Sequence, residues 1–587
     1  MEKNLIISKT KIIAEIANSH QGVATKAVTL GNKCIESGAD AIKFQVYFAE
    51  ELLHHSHKRF KHFKKQSFSI KQWSKIFKKI RKKNSKIYCD VFGLKSFEVA
   101  NNNKVDGFKV HSSDLINKIL LDRLSKVKNK KIFLSTGGST LREISYAVTI
   151  LQKGGIRPIL MHGYQNYPTK VEDTNLNRII LFKKIFKNKC QYGYQDHIAG
   201  NDVMSSIIPM VSLSLNIDYI EKHVTLDRSR KGVDYYSSVE PPQLSKFIMQ
   251  VNEVKKSFGI NQFNFSESEK KYRSEVKKIW YLKKKLKSNT QIKKKYLLMK
   301  RPPSSEVAPN FVENFESLKT SNDVEKDTHL TRSDLNNKVC AVILCRLKSK
   351  RLPKKAIKKI NGETLISHLI KRLRLSKNIN KIVLATTQKK EDLEICKIAK
   401  KNKLSFFRGN EKNVLNRMYH AAKKFNCNIV IRVTADDILI DPYYLDKLIS
   451  FHLKNNLEYS NNKYLPGGTE VEIFNLEILK FLLNTIIDKN VTEYLTFFID
   501  RFKDQFITGT LNVPKKHRST KSLTIDTPKD FIFVKKFLEQ MNKKNLKYNY
   551  DMNHIINFLK KNNKKISKRS RKLEKTNTEI NWEKVIN

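Results

Sequence analysis

Two histidines hold the most obvious chemistry in this sequence: His197, in CQYGYQDHIAG, and His223, in DYIEKHVTL. Each follows a short apolar, β-rich run, and each sits near an acid, Asp196 in the first case and Glu221 in the second. Between them, residues 202–215 have helical spacing. Two strands joined through a helix run parallel, so both imidazoles emerge at one end of a sheet. Neutral imidazoles so placed can ligate a divalent metal, with nearby carboxylates orienting them. The same pattern also arises from two unrelated strand-end histidines.

The elements that must position these residues recur at a regular period. KIIAEIA (11–17), DAIKFQV (40–46), KIYCDVF (86–92), VDGFKVH (105–111), KIFLST (131–136), IRPILMHG (156–163), CQYGYQ (190–195) and DYIEKHV (218–224) read as strands. Helical spacing fills 24–37, 70–83, 95–102, 117–127, 140–153, 173–187, 202–215 and 241–257. Eight strand–helix units over about 250 residues predict a (β/α)8 barrel, an α/β TIM barrel with its site at the C-terminal strand ends. The competing architecture is an open doubly wound sheet, but no GxGxxG follows the first strand.

Every predicted strand ends in polar residues. The first carries Glu15, the second Lys43 and Gln45, the third Asp90, the fourth Lys109 with Ser112 beyond it. The fifth gives Ser135 and Thr136, the sixth His162 followed by Gln165 and Tyr167, and the last two Gln195, Asp196-His197, Glu221 and His223. Lysines inside barrel strands are costly unless an anion meets them. With hydroxyls at Ser112, Ser135 and Thr136, Lys43 and Lys109 form a clamp for phosphate or carboxylate. Two such lysines and two histidines predict metal-assisted chemistry on an anion.

The bulk composition excludes other classes. The 587 residues are 40% hydrophobic, enough for several cores. No run approaches the about 18 apolar residues of a membrane span, and the N-terminus lacks a signal-peptide pattern, so a cytoplasmic, membrane-free protein is expected. The seven cysteines are scattered without a CxxC pair, which argues for reduced, buried thiols. A formal charge of +58 invites a nucleic-acid reading. The lysines are spread over nearly every helix rather than gathered in a stripe, so steering of anionic substrates is expected and a nucleic-acid partner is not.

Block by block, IIAEIANSHQG, GADAIKFQ, FKVHSSDL, LSTGGSTLREI, NYPT, DHIAG and IEKHVTLDRSRKGVDYYSSVEP resemble the sialic acid synthase family. That resemblance implies condensation of phosphoenolpyruvate with an open-chain amino sugar to give a nonulosonic acid. It implies that His197 and His223 hold Mn2+ or Mg2+, and that Lys43, Lys109, Ser112 and Ser135 grip phosphoenolpyruvate. Glu15, Tyr167 and Asp234 would face the sugar and the reacting centre. The chain departs from the pattern at Gln195 and Gln165, where the family has serine and asparagine, and at Asp90, where a hydroxyl is usual. The two glutamines keep hydrogen-bonding capacity on the substrate side, whereas Asp90 adds a negative charge.

Residues 264–275 are polar and are expected to form a linker. Over 275–336, two weakly similar halves each set an apolar pair, a polar turn and a short helix start, the second half at 319–323 and 331–335. This stretch resembles the antifreeze-like (SAF) domain that follows such barrels. The resemblance implies that Arg301 reaches the sugar site of a partner subunit in a domain-swapped homodimer.

A second αβ rhythm begins near residue 337, with strands at 339–345, 381–386, 404–408 and 428–437 and helices at 364–375, 391–402 and 412–425. It predicts a Rossmann-like sheet with a basic loop after its first strand. Arg346, Lys348, Lys350, Arg351 and Lys355 crowd that loop, which suits a triphosphate, and Asp436-Asp437 at a strand end suits Mg2+. CRLKSKRLPKK, IVLATT, FFRGNEKNVLNRMYHAAKKF, RVTADDILIDP, PGGTEVEIF and LTIDTPKDF resemble the CMP-sugar cytidylyltransferases, particularly the spore-coat polysaccharide branch. The resemblance implies that Arg346, Ser349, Arg351 and Lys355 bind CTP phosphates, while Asp436 acts with Asp526 through Mg2+. Two glycines usual in the loop are Lys348 and Lys354 here, and a usual histidine is Asn490. The lysine-rich tail beyond 542 has one helical stretch, 552–559, and no assigned chemistry.

Three domains are therefore expected: 1–262, 275–336 and 337–587. The resemblances imply a bifunctional enzyme that makes a nonulosonic acid and activates it with CTP. The competing readings are a synthase with a degenerate C-terminal half, a carbon–carbon lyase that uses pyruvate, and a nucleic-acid-binding protein.

Overall fold

The computed structural model describes residues 10–81, 85–259, 263–303, 315–316, 318–349, 351–487 and 495–562. The chain divides into two compact units, residues 1–262 and 263–587.

In the first unit, eight parallel strands close into a barrel in sequence order. They are β1 (Lys11–Ala17), β2 (Ala41–Val46), β3 (Lys86–Val91), β4 (Gly107–Val110), β5 (Lys131–Ser135), β6 (Ile159–His162), β7 (Gln191–Asp196) and β8 (Tyr219–His223). Strand side chains alternate between the two faces, so the barrel interior takes every second residue. Its lower layer is an apolar cluster that includes Ile13, Tyr88, Phe133, Met161 and Tyr219. Two residues further along the same strands come Glu15, Asp90, Ser135 and Glu221, which puts a polar layer at the C-terminal ends. The outward set (Ile12, Ile42, Phe44, Ile87, Phe108, Leu134 and Ile220 among them) packs with the surrounding helices into the main core. The helices predicted at 95–102 and 241–257 are present in full, as Leu94–Asn102 and Pro241–Ser257, whereas others are shorter than their periodicity predicts. Residues 173–187, for instance, reduce to a 3-10 turn at Val171–Thr174 and the helix Asn177–Phe186.

The second unit opens with a correction. Residues expected to be a linker form a helix, Glu267–Val276. Ser266 caps it and Glu269 completes a capping box, and such local hydrogen bonds sustain a helix that buries no side chain. Next come the antiparallel pair β9 (Ile279–Leu282) and β10 (Leu297–Lys300). Their small apolar core includes Leu282, Leu286, Ile292, Leu297, Phe315, Val324, Leu330 and Leu335. The helix expected at 319–323 is absent: Lys319, Thr320 and Val324 make isolated β-bridges instead. The one expected at 331–335 is a single 3-10 turn, Arg332–Asp334. Its backbone is bound to the neighbouring helical layer, where the Arg332 amide donates to Asn456 Oδ1 (2.8 Å).

Beyond it, β11 (Val339–Leu344) is an interior strand, third in order, of a seven-stranded mixed sheet. A short ladder of β12 (Lys359–Ile360) and β13 (Glu363–Thr364) stands apart. The parallel part holds β14 (Lys381–Thr387), β15 (Ser405–Gly409) and β16 (Ile429–Thr434). The sheet is completed by β17 (Tyr459–Asn461), β18 (Glu472–Asn475) and β19 (Thr508–Thr510), in the order β15-β14-β11-β16-β18-β17-β19. β18 runs antiparallel to both its neighbours, a feature the αβ rhythm did not carry. β16 stops at Thr434, two residues before the Asp436 it was expected to contain. The helix Met552–Lys561 buries Met552, Ile555, Ile556, Phe558 and Leu559 against the core. All seven cysteines are buried thiols. Among the described residues no helix is long and apolar enough to cross a membrane.

Candidate active sites

The barrel mouth collects the polar strand-end layer into one cavity. Glu15, Lys43, Gln45, Lys109 and Ser135 line it together with Gln165, Tyr167, Gln195, His197 and His223, all named from the sequence. Asp90, His111 and Glu221 line it as well. Ser112 and Asp234 are not among the lining residues. Ser112 starts the 3-10 turn Ser112–Asp114, and Asp234 accepts a long 3.5 Å bond from the Asn18 amide. Arg301 is exposed, one residue beyond β10.

The anion that the two buried lysines require is supplied by the protein. Lys43 Nζ contacts Glu15 Oε2 and lies 2.7 Å from Asp90 Oδ2 and 3.5 Å from Glu221 Oε1. Lys109 Nζ lies 2.7 Å from Glu221 Oε1. Burial works to raise Glu221, but Lys109 and Lys43 pull it down to about 2, so it is ionised. Glu15 behaves differently. Burial, together with the neighbouring Asp90 and Glu221, outweighs the pull of Lys43 and pushes it up to about 8. Its Oε1 accepts the Ala17 amide at 2.6 Å, across a register irregularity in β1.

The histidines face each other, with ring centroids 5.1 Å apart. His197 Nδ1 donates to the Tyr164 carbonyl at 2.6 Å. A carbonyl can only accept, so Nδ1 carries the proton and Nε2 keeps its lone pair. Burial lowers His197 to about 4 and holds His223 well below the ordinary histidine value, so both rings are neutral at pH 7. The expectation that adjacent acids orient them is corrected. Asp196 points to the outer face of the barrel, where its Oδ2 meets Lys222 Nζ at 2.6 Å, and a backbone carbonyl orients His197 instead.

Gln195 has a defined place in the floor. Its Nε2 donates to Ser135 Oγ at 2.8 Å, and Gln165 Nε2 donates to the same oxygen at 3.2 Å. Tyr167 donates to Gln165 Oε1 (2.9 Å), with its hydroxyl 3.4 Å from His197 Nε2. Gly163 leaves the room Gln195 needs, because a Cβ there would lie 2.2 Å from Gln195 Cγ.

The second unit gathers another site beyond β11 and β16. Asp526 is carried to it from far along the chain by the Ile525 amide, which donates to the Asp436 carbonyl (3.1 Å), and by Thr524 Oγ1, which donates to Asp437 (2.7 Å). Lys355 Nζ contacts Asp436 and lies 3.2 Å from Asp526 Oδ1, while Arg351 reaches the same oxygen at 2.9 Å. Burial and the adjacent Asp436 push Asp437 up to about 7; its partners are the hydroxyls of Thr434 and Thr524. Arg346 is exposed at the start of the basic loop, and Ser349 Oγ accepts the Leu352 amide at 3.4 Å. Lys354, at a position where glycine is usual, has φ +52°, which is the conformation glycine adopts most cheaply. Lys350 and Asn490 lie outside the described residues.

Among the described residues, no group of three or more His, Cys, Asp or Glu is arranged to hold a metal. Each site therefore offers a pair: His197 with His223, and Asp436 with Asp526. The residues present fit an ion at both places. His223 Nδ1 is buried without a hydrogen-bond partner and faces a second neutral imidazole, and the two carboxylates already converge on one cation, the Lys355 ammonium.

Fold and sites define an α/β protein with a barrel synthase architecture joined to a nucleotidyltransferase sheet. Comparison with known proteins makes this specific. Residues 31–262 match the NeuB family and residues 340–562 the cytidylyltransferase family. The chain belongs to the NeuB synthases through its barrel and to the cytidylyltransferases through its C-terminal sheet, and it is an enzyme of those two classes. An uncharacterised protein of Methanocaldococcus jannaschii is 31% identical over 330 residues, 56% of this chain and 94% of that protein. Another from the same organism is 34% identical over 226 residues, 38% of this chain and 91% of that protein. The N,N'-diacetyllegionaminic acid synthase of Campylobacter jejuni is 29% identical over 333 residues, 54% of this chain and 97% of that enzyme.

Proposed function

We propose that the barrel condenses phosphoenolpyruvate with an open-chain N-acyl amino sugar, releasing phosphate, and that the C-terminal domain transfers CMP from CTP to a nonulosonic acid. The observation that supports the first step is one cavity holding two neutral imidazoles, two buried lysines and a carboxyl that keeps its proton near neutrality. His197 and His223 would hold Mn2+ or Mg2+, which would supply Lewis-acid polarisation of the sugar carbonyl. The rest is work for the side chains. Lys43 and Lys109 turn from their carboxylates to the phosphate and carboxylate of phosphoenolpyruvate, helped by Ser135 and its two glutamines. The methylene carbon of phosphoenolpyruvate bonds to the aldehyde carbon, water adds at the neighbouring carbon that bears the phosphate ester, and the C–O bond from that carbon to phosphate breaks, leaving the 2-keto acid. Glu15 is the proton donor in this scheme because it stays protonated up to about pH 8.

In the C-terminal site Lys355 and Arg351 exchange their carboxylates for the phosphates of CTP, and Asp436 and Asp526, so freed, would hold Mg2+, which would supply neutralisation of phosphate charge. A hydroxyl of the acid attacks the α-phosphorus in line and pyrophosphate departs. The product of the barrel is the substrate class of the second site, which gives the fusion its chemical logic. The small unit with Arg301 belongs to the same proposal as an antifreeze-like lid that reaches a partner's barrel in a homodimer. An active monomer by light scattering rules that part out.

Purified protein incubated with phosphoenolpyruvate, CTP, Mn2+, Mg2+ and a panel of N-acyl hexosamines is expected to yield a product three carbons longer and its CMP derivative by mass spectrometry. The absence of any three-carbon extension defeats the synthase reading. Phosphate release without pyrophosphate release defeats the second half alone.

A further inference from the structure

Which N–H groups at the barrel mouth are still available to an incoming anion? Both lysine ammoniums already meet carboxylates. The amides of Gln165 and Gln195 each donate to Ser135 Oγ, His197 Nδ1–H is spent on a carbonyl, and the Tyr167 hydroxyl donates to Gln165. The Gln45 amide offers one, its oxygen accepting from Asn18 Nδ2, and His111 offers another. Its Nδ1 lies 3.3 Å from the Ser113 amide and 3.0 Å from the Ser113 hydroxyl. A backbone amide can only donate, so Nδ1 is an acceptor and the single proton of the neutral ring sits on Nε2. No partner for that N–H is found among the described residues, and the ring lines the cavity. It also packs against Phe92, with centroids 5.7 Å apart, which restrains its orientation. Burial, the largest influence on it, lowers the ring's pKa and keeps it neutral.

We propose that His111 is an anion-binding residue of the barrel site, donating Nε2–H to the phosphate or carboxylate of the substrate. Its sequence context gives it no role of its own, since it stands one residue beyond β4 in a stretch whose Lys109 draws the attention. A neutral donor suits this cavity. Three carboxyl groups already face two ammoniums, and a fixed N–H adds anion affinity without another charge that would itself need pairing. The proposal rests on the synthase reading for the identity of the anion, but not for its charge.

Titration calorimetry of phosphoenolpyruvate, and separately of inorganic phosphate, into the full-length protein tests it. His111→Ala is expected to weaken phosphoenolpyruvate binding about 10-fold or more, and His111→Gln, which returns an N–H, to recover part of the loss. Melting temperature and Mn2+ affinity stay as in wild type, which separates a binding role from a structural one. Equal affinities for wild type and both variants overturn the proposal. So does a loss in His111→Ala that comes with a collapse of its melting temperature, or a His111→Gln that folds like wild type and recovers none of the loss. Binding of phosphate but not phosphoenolpyruvate, still dependent on His111, supports the proposal and overturns the phosphoenolpyruvate reading. Binding of neither overturns both.

Discussion

Removing the Asp196 carboxylate is the perturbation whose consequence the structure fixes most closely. Asp196 and Lys222 are direct register partners in the β7–β8 ladder, on the outer face of the barrel. Lys222 Nζ has two acceptors, Asp196 Oδ2 at 2.6 Å and the Ser205 carbonyl at 2.7 Å. Tyr194 donates to the other carboxylate oxygen at 3.1 Å. The side chains are 1% and 0% exposed, so water cannot replace a lost partner. Asp196→Ala leaves an ammonium with one neutral acceptor, at a cost of about 3–5 kcal/mol. At roughly 2–4 °C per kcal/mol for a domain of this size, the barrel melts about 6–20 °C lower. Lys222→Met costs less, because the remaining carboxylate can take a proton and keeps Tyr194. Asp196→Leu with Lys222→Met recovers most of the loss, since both side chains are fully buried and the Phe247 ring lies beside the ammonium. Thermal melting followed by circular dichroism, with calorimetric Mn2+ titration at 25 °C, reads both stability and the spacing of His197 and His223, which are the next residues along. A cost below about 1 kcal/mol for Asp196→Ala refutes the reasoning, because it means that the pair is solvated or that the register is held elsewhere.

Three further outcomes follow from the geometry. Glu15 is raised, so its acid form is present below about pH 8 and is lost as pH rises through that value; synthase kcat is expected to fall there in wild type, while Glu15→Gln shows a low, flat profile in a stopped phosphate-release assay. Lys354→Gly relieves a positive φ and is expected to stabilise the C-terminal domain by up to about 1 kcal/mol in urea melts, with CTP turnover retained. Lys355→Met removes the cation between Asp436 and Asp526 and is expected to lower pyrophosphate release about 100-fold or more without changing phosphate release from the barrel.

Much of the barrel was legible because the period-2 pattern and the strand-end polar residues arise from one geometry. Glu15, Lys43, Lys109, His197 and His223 could be picked out because a charged or metal-binding side chain in an otherwise apolar strand is anomalous. Other residues carried no such mark. Ser112 has the right chemistry and falls outside the lining, because the chain turns into a 3-10 turn directly after His111. The polar segment 264–275 looked like a linker because helix capping is local and leaves no apolar stripe to detect.

The sequence by itself determined the eight-fold strand–helix rhythm, the second αβ domain and the kinds of residue at each strand end. Those are properties of local periodicity and of single side chains. Only the tertiary structure decided who pairs with whom. It set Lys43 among Glu15, Asp90 and Glu221, turned Asp196 away from His197 to Lys222, and brought Asp526 to Asp436. Charge pairing between barrel strands depends on closure and register, and one residue of slip would send each of the barrel side chains to the opposite face.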